Sequence, residues 1–339
     1  MDRDRLDRLR AQYADAGFFD VQDPELRRII ETTRDAQGRR KAPFTGIRTL
    51  LDAPLATGIE DLDVALVGVP MDLGVSNRSG ARLGPRAVRQ IERIGPYHHQ
   101  LRVAPVTRLR IADVGDCPVS RYSLDESLRE IERYFDALVA GGVMPLSVGG
   151  DHSISYPILK AIGRARPVGM LHIDAHCDTG GEYDGAKFHH GGPFRHAVLD
   201  GVLDPERTVQ VGIRGSSELG WEFSYASGMS VIHIEDLMRD GVPAIIHTSR
   251  AVLGDGPVYV SVDVDGFDPA FAPGTGTPEV GGLTPREGQQ LLRGLAGLDV
   301  IGGDVVEVAP QYDTTSNTAQ LGAQMLFEIL CLMACRPGR

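Results

Sequence analysis

The sequence lacks paired cysteines, long apolar runs and an excess of positive charge. Its four cysteines do not have the spacing of a disulfide framework, which favours a reducing compartment and a cytoplasmic protein. The net charge of -11 argues against nucleic acid and anionic membrane surfaces as partners. No apolar signal segment opens the chain, and the most apolar stretch, Met325–Ala334, is too short to cross a membrane. We expect a buried helix there.

Apolar runs that alternate with amphipathic, helix-length segments fill most of the chain after residue 60. Eight runs predict strands, among them Val64–Gly68, Val168–Ile173 and Val300–Val306, and Leu124–Ala140 is typical of the helices between them. Continuous apolar strands that alternate with helices predict a parallel sheet covered on both faces. Periodicity alone leaves a closed barrel and an open, doubly wound sheet as alternatives.

The length favours one α/β domain with an N-terminal extension. We assign residues 1–60 to an extension that packs on the core, and residues 61–339 to the catalytic domain. Charged helices are predicted at Asp4–Ala14 and Pro24–Thr33, and a polar link at Gln37–Lys41.

Six candidate metal ligands follow strand-like runs in three short segments. They are His152, then Asp174, His176 and Asp178, then Asp263 and Asp265. Side chains two apart on an extended chain point to the same side, so each segment can direct its ligands to one point. The alternative, in which each Asp forms a turn or caps a helix, explains one segment but not all three together at strand ends.

Four carboxylates and two imidazoles exceed the three protein ligands of a catalytic zinc, and they favour two divalent ions bridged by shared carboxylates. We expect Asp174 and Asp263 to bridge the ions. His152 and Asp178 would complete one site, with the remaining histidine and aspartate completing the other. Carboxylates with a minority of imidazoles favour Mn²⁺, although Ni²⁺, Fe²⁺, Co²⁺ and Zn²⁺ remain open.

These segments resemble the three signatures of the ureohydrolases, the arginase and agmatinase family. The matching segments are Gly149–Ser153, Asp174–Thr179 and Ser261–Pro269, with further similarity at Gly68–Asp72 and Ala272–Gly282. The resemblance runs from about Phe44 to Cys331 and is closest to agmatinases and guanidino-acid hydrolases. It implies a three-layer αβα fold with an open, mainly parallel eight-stranded sheet. It also implies a binuclear Mn²⁺ centre, a homo-trimer or homo-hexamer, and hydrolysis of a guanidinium group to urea and an amine.

Two residues outside the ligand set match functional positions of the family. Glu307 matches the substrate-binding glutamate, and a carboxylate suits the planar guanidinium cation. The alternative is a buried acid paired with an arginine. His190 matches the histidine that delivers a proton to the leaving amine, and the resemblance favours it over the adjacent His189. The resemblance thus implies His190 and the ligand Asp178 as catalytic residues.

Several other residues receive structural interpretations. His172 alternates in phase with Asp174 but lies deeper in its strand, so we expect a hydrogen-bonded core histidine. Asp151 is predicted to be a turn residue or to support a ligand, and Asp304 to be a structural partner. The glycine-rich segment Gly74–Gly84 lacks the Walker pattern, and it predicts either a loop near the site or subunit interface, or a solvated surface loop.

The substrate is less well defined than the reaction. Arginases carry an asparagine where Gly180 stands, which favours a small non-α-amino guanidino compound such as agmatine, guanidinobutyrate, guanidinopropionate or a simpler guanidine. Tyr183 is predicted to bind substrate by capping and shortening the pocket. The alternatives are an arginase proper, a single-metal hydrolase related to deacetylases, and a silent subunit of a hetero-oligomer.

Overall fold

The computed structural model describes residues 2–34, 38, 42, 44–92, 94–215 and 218–338. The chain divides into two units, residues 1–47 and residues 48–339. Residues 48–60 therefore group with the larger unit, and the domain boundary after residue 60 stays a prediction. Apart from Gly38, the predicted polar link at Gln37–Lys41 lies outside the described residues.

The smaller unit contains two helices, α1 (Arg3–Tyr13) and α2 (Pro24–Thr32). Asp23 caps α2, because its carboxylate accepts hydrogen bonds from the backbone N–H groups of Glu25 (2.8 Å) and Leu26 (3.0 Å). Pro24 occupies the first turn, where its missing N–H costs nothing. Both predicted N-terminal helices are confirmed.

The larger unit is built on an eight-stranded sheet in which every neighbouring pair is parallel. The strands are β1 (Val64–Val69), β2 (Ile111–Asp116), β3 (Met144–Gly149), β4 (Val168–Ile173), β5 (Leu203–Ile213), β6 (Ser230–His233), β7 (Val258–Asp263) and β8 (Val300–Val306). Their spatial order is β2-β1-β3-β8-β7-β4-β5-β6. Because β2 and β6 form opposite edges, the sheet is open, and the prediction of an open parallel sheet is confirmed.

Helices cover both faces of this sheet. In the described part of the larger unit they are α3 (Gly84–Arg89), α4 (Pro105–Arg108), α5 (Leu124–Ala140), α6 (Ser155–Gly163), α7 (Pro193–Leu199), α8 (Glu222–Ser227), α9 (Ile234–Asp240), α10 (Val242–Leu253), α11 (Pro285–Arg293) and α12 (Asn317–Ala334). Along β1, Val64 and Leu66 belong to the hydrophobic layer that includes residues of α10, α11 and α12, whereas Ala65 and Val67 belong to the layer that includes residues of α5 and α6. The period of two thus separates two hydrophobic layers, and the three-layer αβα prediction is confirmed.

The apolar tail segment Met325–Ala334 is buried and forms the last part of α12. It packs in the hydrophobic layer that also contains α10 and α11. Among the described residues, no helix has the length and apolar character needed to span a membrane.

Four central strands lie side by side in the order β3-β8-β7-β4. Parallel strands end at a common edge, and ligands of open α/β sheets bind beyond the carboxyl ends of the strands. Each of these four strands ends at a candidate site residue or within three residues of one, so the strand order determines where those residues meet.

Candidate metal centre and active site

The three predicted ligand segments begin where central strands end. His152 opens a short 3-10 turn after β3, and the carboxylate of Asp151 caps that turn through the N–H of Ser153 (2.9 Å). Asp174 follows β4 directly, and Asp263 is the last residue of β7. The sheet therefore brings together residues that are far apart in the sequence.

The first cluster surrounds Nδ1 of His152. This nitrogen lies 3.2 Å from Oδ2 of Asp174, 2.9 Å from Oδ2 of Asp178 and 3.3 Å from Oδ2 of Asp263. It is buried, yet it has no hydrogen-bond partner within the described residues. Four buried electron-pair donors that converge on one point are unfavourable unless a cation neutralises them. The donor set fits a divalent metal ion.

A second cluster shares Asp174 with the first. Nδ1 of His176 lies 3.4 Å from Oδ1 of Asp174 and 3.2 Å from Oδ2 of Asp265. Asp174 thus directs one oxygen to each histidine, as a bridging carboxylate would. Asp263 contacts Nδ1 of His152 through Oδ2, and its Oδ1 accepts the N–H of Asp265 (2.8 Å). The bridging role of Asp263 stays a prediction.

Burial and the close approach of the carboxylates raise the pKa values of two of them. Burial raises the pKa of Asp263 well above its ordinary value, and the neighbouring Asp265 and Asp174 raise it further. Burial, together with the charge of Asp174, also raises the pKa of Asp265 to about 6, against the opposing effect of His176. Buried carboxylates that repel one another in this way are suited to a bound cation.

Other buried side chains fix the ring of His152. Ser261 donates its hydroxyl proton to Oδ1 of Asp304 (2.6 Å), so Ser261 Oγ accepts a hydrogen bond from Nε2 of His152 (2.8 Å). With its proton on Nε2, a neutral ring presents Nδ1 to the three carboxylates. Asp304 is also bonded by Tyr259 (2.7 Å) and by Ser155 (2.6 Å), which agrees with its predicted structural role.

His172 is buried and hydrogen-bonded at both ring nitrogens, as expected for a core histidine. Nε2 lies 2.7 Å from Oδ2 of Asp174, and Nδ1 lies 3.1 Å from Nε2 of Gln210. Because the amide nitrogen of Gln210 donates, Nε2 of His172 carries the proton and orients the aspartate. His172 therefore supports the candidate metal centre, and its in-phase alternation with Asp174 was the sequence signal.

Glu307 follows β8 and is buried next to His152 and His190. Its Oε1 accepts the backbone N–H of His152 (3.0 Å) and lies 2.9 Å from Nδ1 of His190. Its Oε2 is buried without a hydrogen-bond partner, and no arginine of the described chain lies within ion-pair distance of it. One oxygen is therefore anchored, while the other is available to a bound cation.

Two residues of the site adopt backbone angles that are unusual for side chains other than glycine. Asp178 has a φ of 52° and Glu307 a φ of 62°. Such left-handed residues are strained, and they concentrate at functional sites where the surrounding structure holds them.

His190 lies between Glu307 and Ser76. Its Nε2 lies 2.7 Å from Ser76 Oγ and 3.2 Å from the backbone nitrogen of Ser76. Burial lowers the pKa of His190, but the hydrogen bond and charge of Glu307 outweigh it and raise the pKa to about 9. His189 instead donates Nε2–H to the carbonyl of Gly181 (2.6 Å). Sequence reasoning missed Ser76, for which the glycine-rich segment Gly74–Gly84 was the only signal.

A cavity of about 180 Å³ opens between these clusters. It is lined by Ser76, His176, Cys177, Asp178, Thr179, Gly180, His190, Gly191, Gly220, Trp221, Asp263, Asp265 and Thr277. Thr277, a second residue missed from the sequence, donates its hydroxyl proton to Oδ2 of Asp265 (3.0 Å). Tyr183 is 57% exposed and is not among the lining residues, so its capping role stays a prediction.

Comparison with known proteins identifies the family to which the chain is similar. Residues 62–332 match the profile of the arginase family. A guanidinopropionase of Pseudomonas aeruginosa is 51% identical over 86% of this chain and 93% of its own length. A mitochondrial agmatinase of Gallus gallus is 47% identical over 85% of this chain and 86% of its own length. The solved structure of proclavaminate amidino hydrolase from Streptomyces clavuligerus has a TM-score of 0.83 and 34% identity, covering 87% of this chain and 99% of that one.

An open parallel sheet with histidine and aspartate clusters at its carboxyl edge is the architecture of a metal-binding hydrolase. The chain belongs to the arginase family. The predicted family, and with it a hydrolase that acts on carbon–nitrogen bonds, is confirmed.

Proposed function

We propose that this protein is an amidinohydrolase that cleaves the guanidinium group of a small non-α-amino guanidino compound to give urea and an amine. The candidate substrates are agmatine, guanidinobutyrate, guanidinopropionate and simpler guanidines. The observation that carries the proposal is the buried, unpaired Oε2 of Glu307 beside the metal-binding clusters. A buried carboxylate oxygen of this kind is unfavourable until a cationic ligand pairs with it.

In this proposal, His152, Asp174, Asp178 and Asp263 would hold one divalent ion, and Asp174, His176, Asp263 and Asp265 would hold the other. Mn²⁺ is the ion of choice because oxygen ligands predominate. When bound, the ions lower the pKa of water to generate a nucleophile at neutral pH, and they stabilise negative charge on the reacting group. Ni²⁺, Fe²⁺, Co²⁺ and Zn²⁺ are the alternatives to compare.

The side chains of the protein bind and orient the substrate. Oε2 of Glu307 accepts an N–H of the planar guanidinium, and the anchoring of Oε1 by His152 N–H sets the direction of that bond. His190 holds a proton next to the same carboxylate and delivers it to the leaving amine. The small cavity admits a compact guanidino group.

Urea release from the reconstituted full-length enzyme tests the proposal. The protein is stripped with chelator and loaded separately with each of the five metals. It is then assayed on agmatine, guanidinobutyrate, guanidinopropionate, arginine and guanidine. We expect about two ions per chain by elemental analysis and urea from at least one non-α-amino substrate. Arginine as the preferred substrate would support an arginase proper, and about one ion per chain would favour the single-metal hydrolase. Two ions without urea would favour a silent subunit.

We also propose that the enzyme is cytoplasmic and forms a homo-trimer or homo-hexamer. All four cysteines are free, and Cys117, Cys177 and Cys331 are buried, as suits a reducing compartment. Light scattering coupled to size exclusion measures the oligomer, and a monomeric mass would exclude this assembly.

A further inference from the structure

Arg195 lies close to the candidate metal centre on a rigid support. It is the third residue of α7, which follows the loop that carries His190. The preceding Phe194 is fully buried and packs its ring against those of His172 (4.5 Å) and His152 (5.1 Å). The N–H of Phe194 also donates to the carbonyl of Asp178 (3.2 Å). The position of Arg195 is thereby tied to the residues that surround the candidate metal centre.

The guanidinium of Arg195 is half-buried and has no anionic partner. Its Cζ stacks 4.8 Å from the ring centroid of Phe223, and it lies beside the backbone of Gly181. Within the described residues, no carboxylate lies within 4.0 Å and no acceptor receives a hydrogen bond from this side chain. A half-buried arginine with five unused donors is suited to a carboxylate or similar anion.

Arg195 and Phe223 line a second cavity of about 260 Å³. This cavity adjoins the first one, because Thr179, Gly180 and Gly220 line both. Thr179 also fixes the support of Phe223, since its hydroxyl contacts the carbonyl of Gly220 (3.1 Å) and Ser224 Oγ (2.8 Å) on α8. The aromatic platform under Arg195 is therefore held next to the first cavity.

We propose that the second cavity binds the carboxylate of a guanidino acid, with Arg195 as the residue that recognises it. This inference rests on the proposed function and specifies its substrate class. The substrate is a zwitterion whose guanidinium pairs with Glu307 and whose carboxylate pairs with Arg195. A guanidinium fork that is stacked on an aromatic ring can bind a carboxylate through two parallel hydrogen bonds.

Glu222 also lines the second cavity and would attract the ammonium of a dicationic substrate such as agmatine. Glu222 is exposed, however, whereas Arg195 is half-buried and stacked, so solvent screens the glutamate more strongly. The balance of the two charges therefore favours an acid.

The test compares a charged with an uncharged substrate tail on the metal-loaded, full-length enzyme. The quantity is the kcat/KM for guanidinobutyrate divided by that for n-butylguanidine. We expect Arg195→Gln to lower this ratio by about 10- to 100-fold, mainly through the KM for the acid, because a charge-assisted hydrogen-bonded pair is lost. Arg195→Lys keeps the charge without the fork, so we expect a smaller loss. Calorimetric titration with guanidinobutyrate should give the highest affinity for the wild type, a lower affinity for Arg195→Lys and the lowest for Arg195→Gln.

The matched control is Arg166→Gln. Arg166 is exposed and precedes β4, so it lies at the amino-terminal ends of the strands, away from the candidate site. Its ratio should equal that of the wild type. If Arg195→Gln does not fold, Phe223→Leu removes only the platform and should lower the same ratio.

An unchanged ratio in Arg195→Gln, or an equal loss on both substrates, would overturn the carboxylate site. A wild-type enzyme that cleaves n-butylguanidine but no guanidino acid would overturn this inference and leave the proposed function standing. A fully metallated enzyme that cleaves no guanidine would instead overturn the proposed function itself.

Discussion

Glu307 and His190 share a buried contact of 2.9 Å between Oε1 and Nδ1. The residue proposed to bind the guanidinium and the residue proposed to protonate the amine therefore influence each other directly. Because the carboxylate raises the pKa of His190 to about 9, the imidazole is protonated at neutral pH. The same contact keeps Oε1 occupied and leaves Oε2 for the substrate.

The pH dependence of kcat should reflect this protonated histidine. A raised pKa means that the acid form persists up to about pH 9, so we expect activity to fall as the pH rises through that value. His190→Asn should lower kcat by about 100-fold or more, with both metal ions retained. An alkaline limb that persists unchanged in this variant would assign it to another group.

Glu307→Gln should lower kcat/KM for the preferred guanidine by about 100-fold without loss of metal, because the anionic partner of the cation is gone. Steady-state kinetics and elemental analysis measure the two quantities. Glu328 is a matched control, since it is equally buried but pairs with Arg293 (2.6 Å) and His98 (2.8 Å). Glu328→Gln should reduce the free energy of unfolding by about 3–5 kcal/mol and spare kcat/KM. Normal kinetics in Glu307→Gln would remove Glu307 from the site.

The number of metal ions bound per chain should distinguish the carboxylates proposed to bridge both ions from the one proposed to contact a single ion. Asp174→Asn should lose both ions, because its two oxygens face different histidines. Asp265→Asn should keep about one ion per chain, since within the described residues Asp265 contacts the ring of His176 and not that of His152. Asp263→Ala decides the remaining assignment: loss of both ions supports its bridging role, and loss of one shows that the bridge is Asp174 alone.

Ser261→Ala should weaken metal binding by about 10- to 100-fold, because it removes the group that accepts the Nε2 proton of His152 and thereby orients the ring. Competition with a coloured chelator measures the affinity. Ser249→Ala is the control, since the Ser249 hydroxyl is also buried but has no hydrogen-bond partner in the described chain. Equal affinities in the two variants would argue against the relay.

The sheet and the ligand clusters were predictable because both depend on local sequence patterns. The continuous apolar run of β1 indicated a strand covered on both faces, and the spacing of Asp174, His176 and Asp178 identified one converging segment. The supporting contacts were not predictable in this way. Ser76 meets His190 across 114 residues, and that pairing depends on loop conformation, which no local pattern encodes.

The central order β3-β8-β7-β4 interleaves the first and second halves of the chain. Two of the strands that end at the candidate site come from each half, so neither half contains the complete set of proposed ligands. If the chain were divided between β5 and β6, neither fragment alone should hydrolyse the substrate. Activity should return only when the two fragments reassemble. Such a divided enzyme could serve as a reporter of proximity, with released urea as its signal.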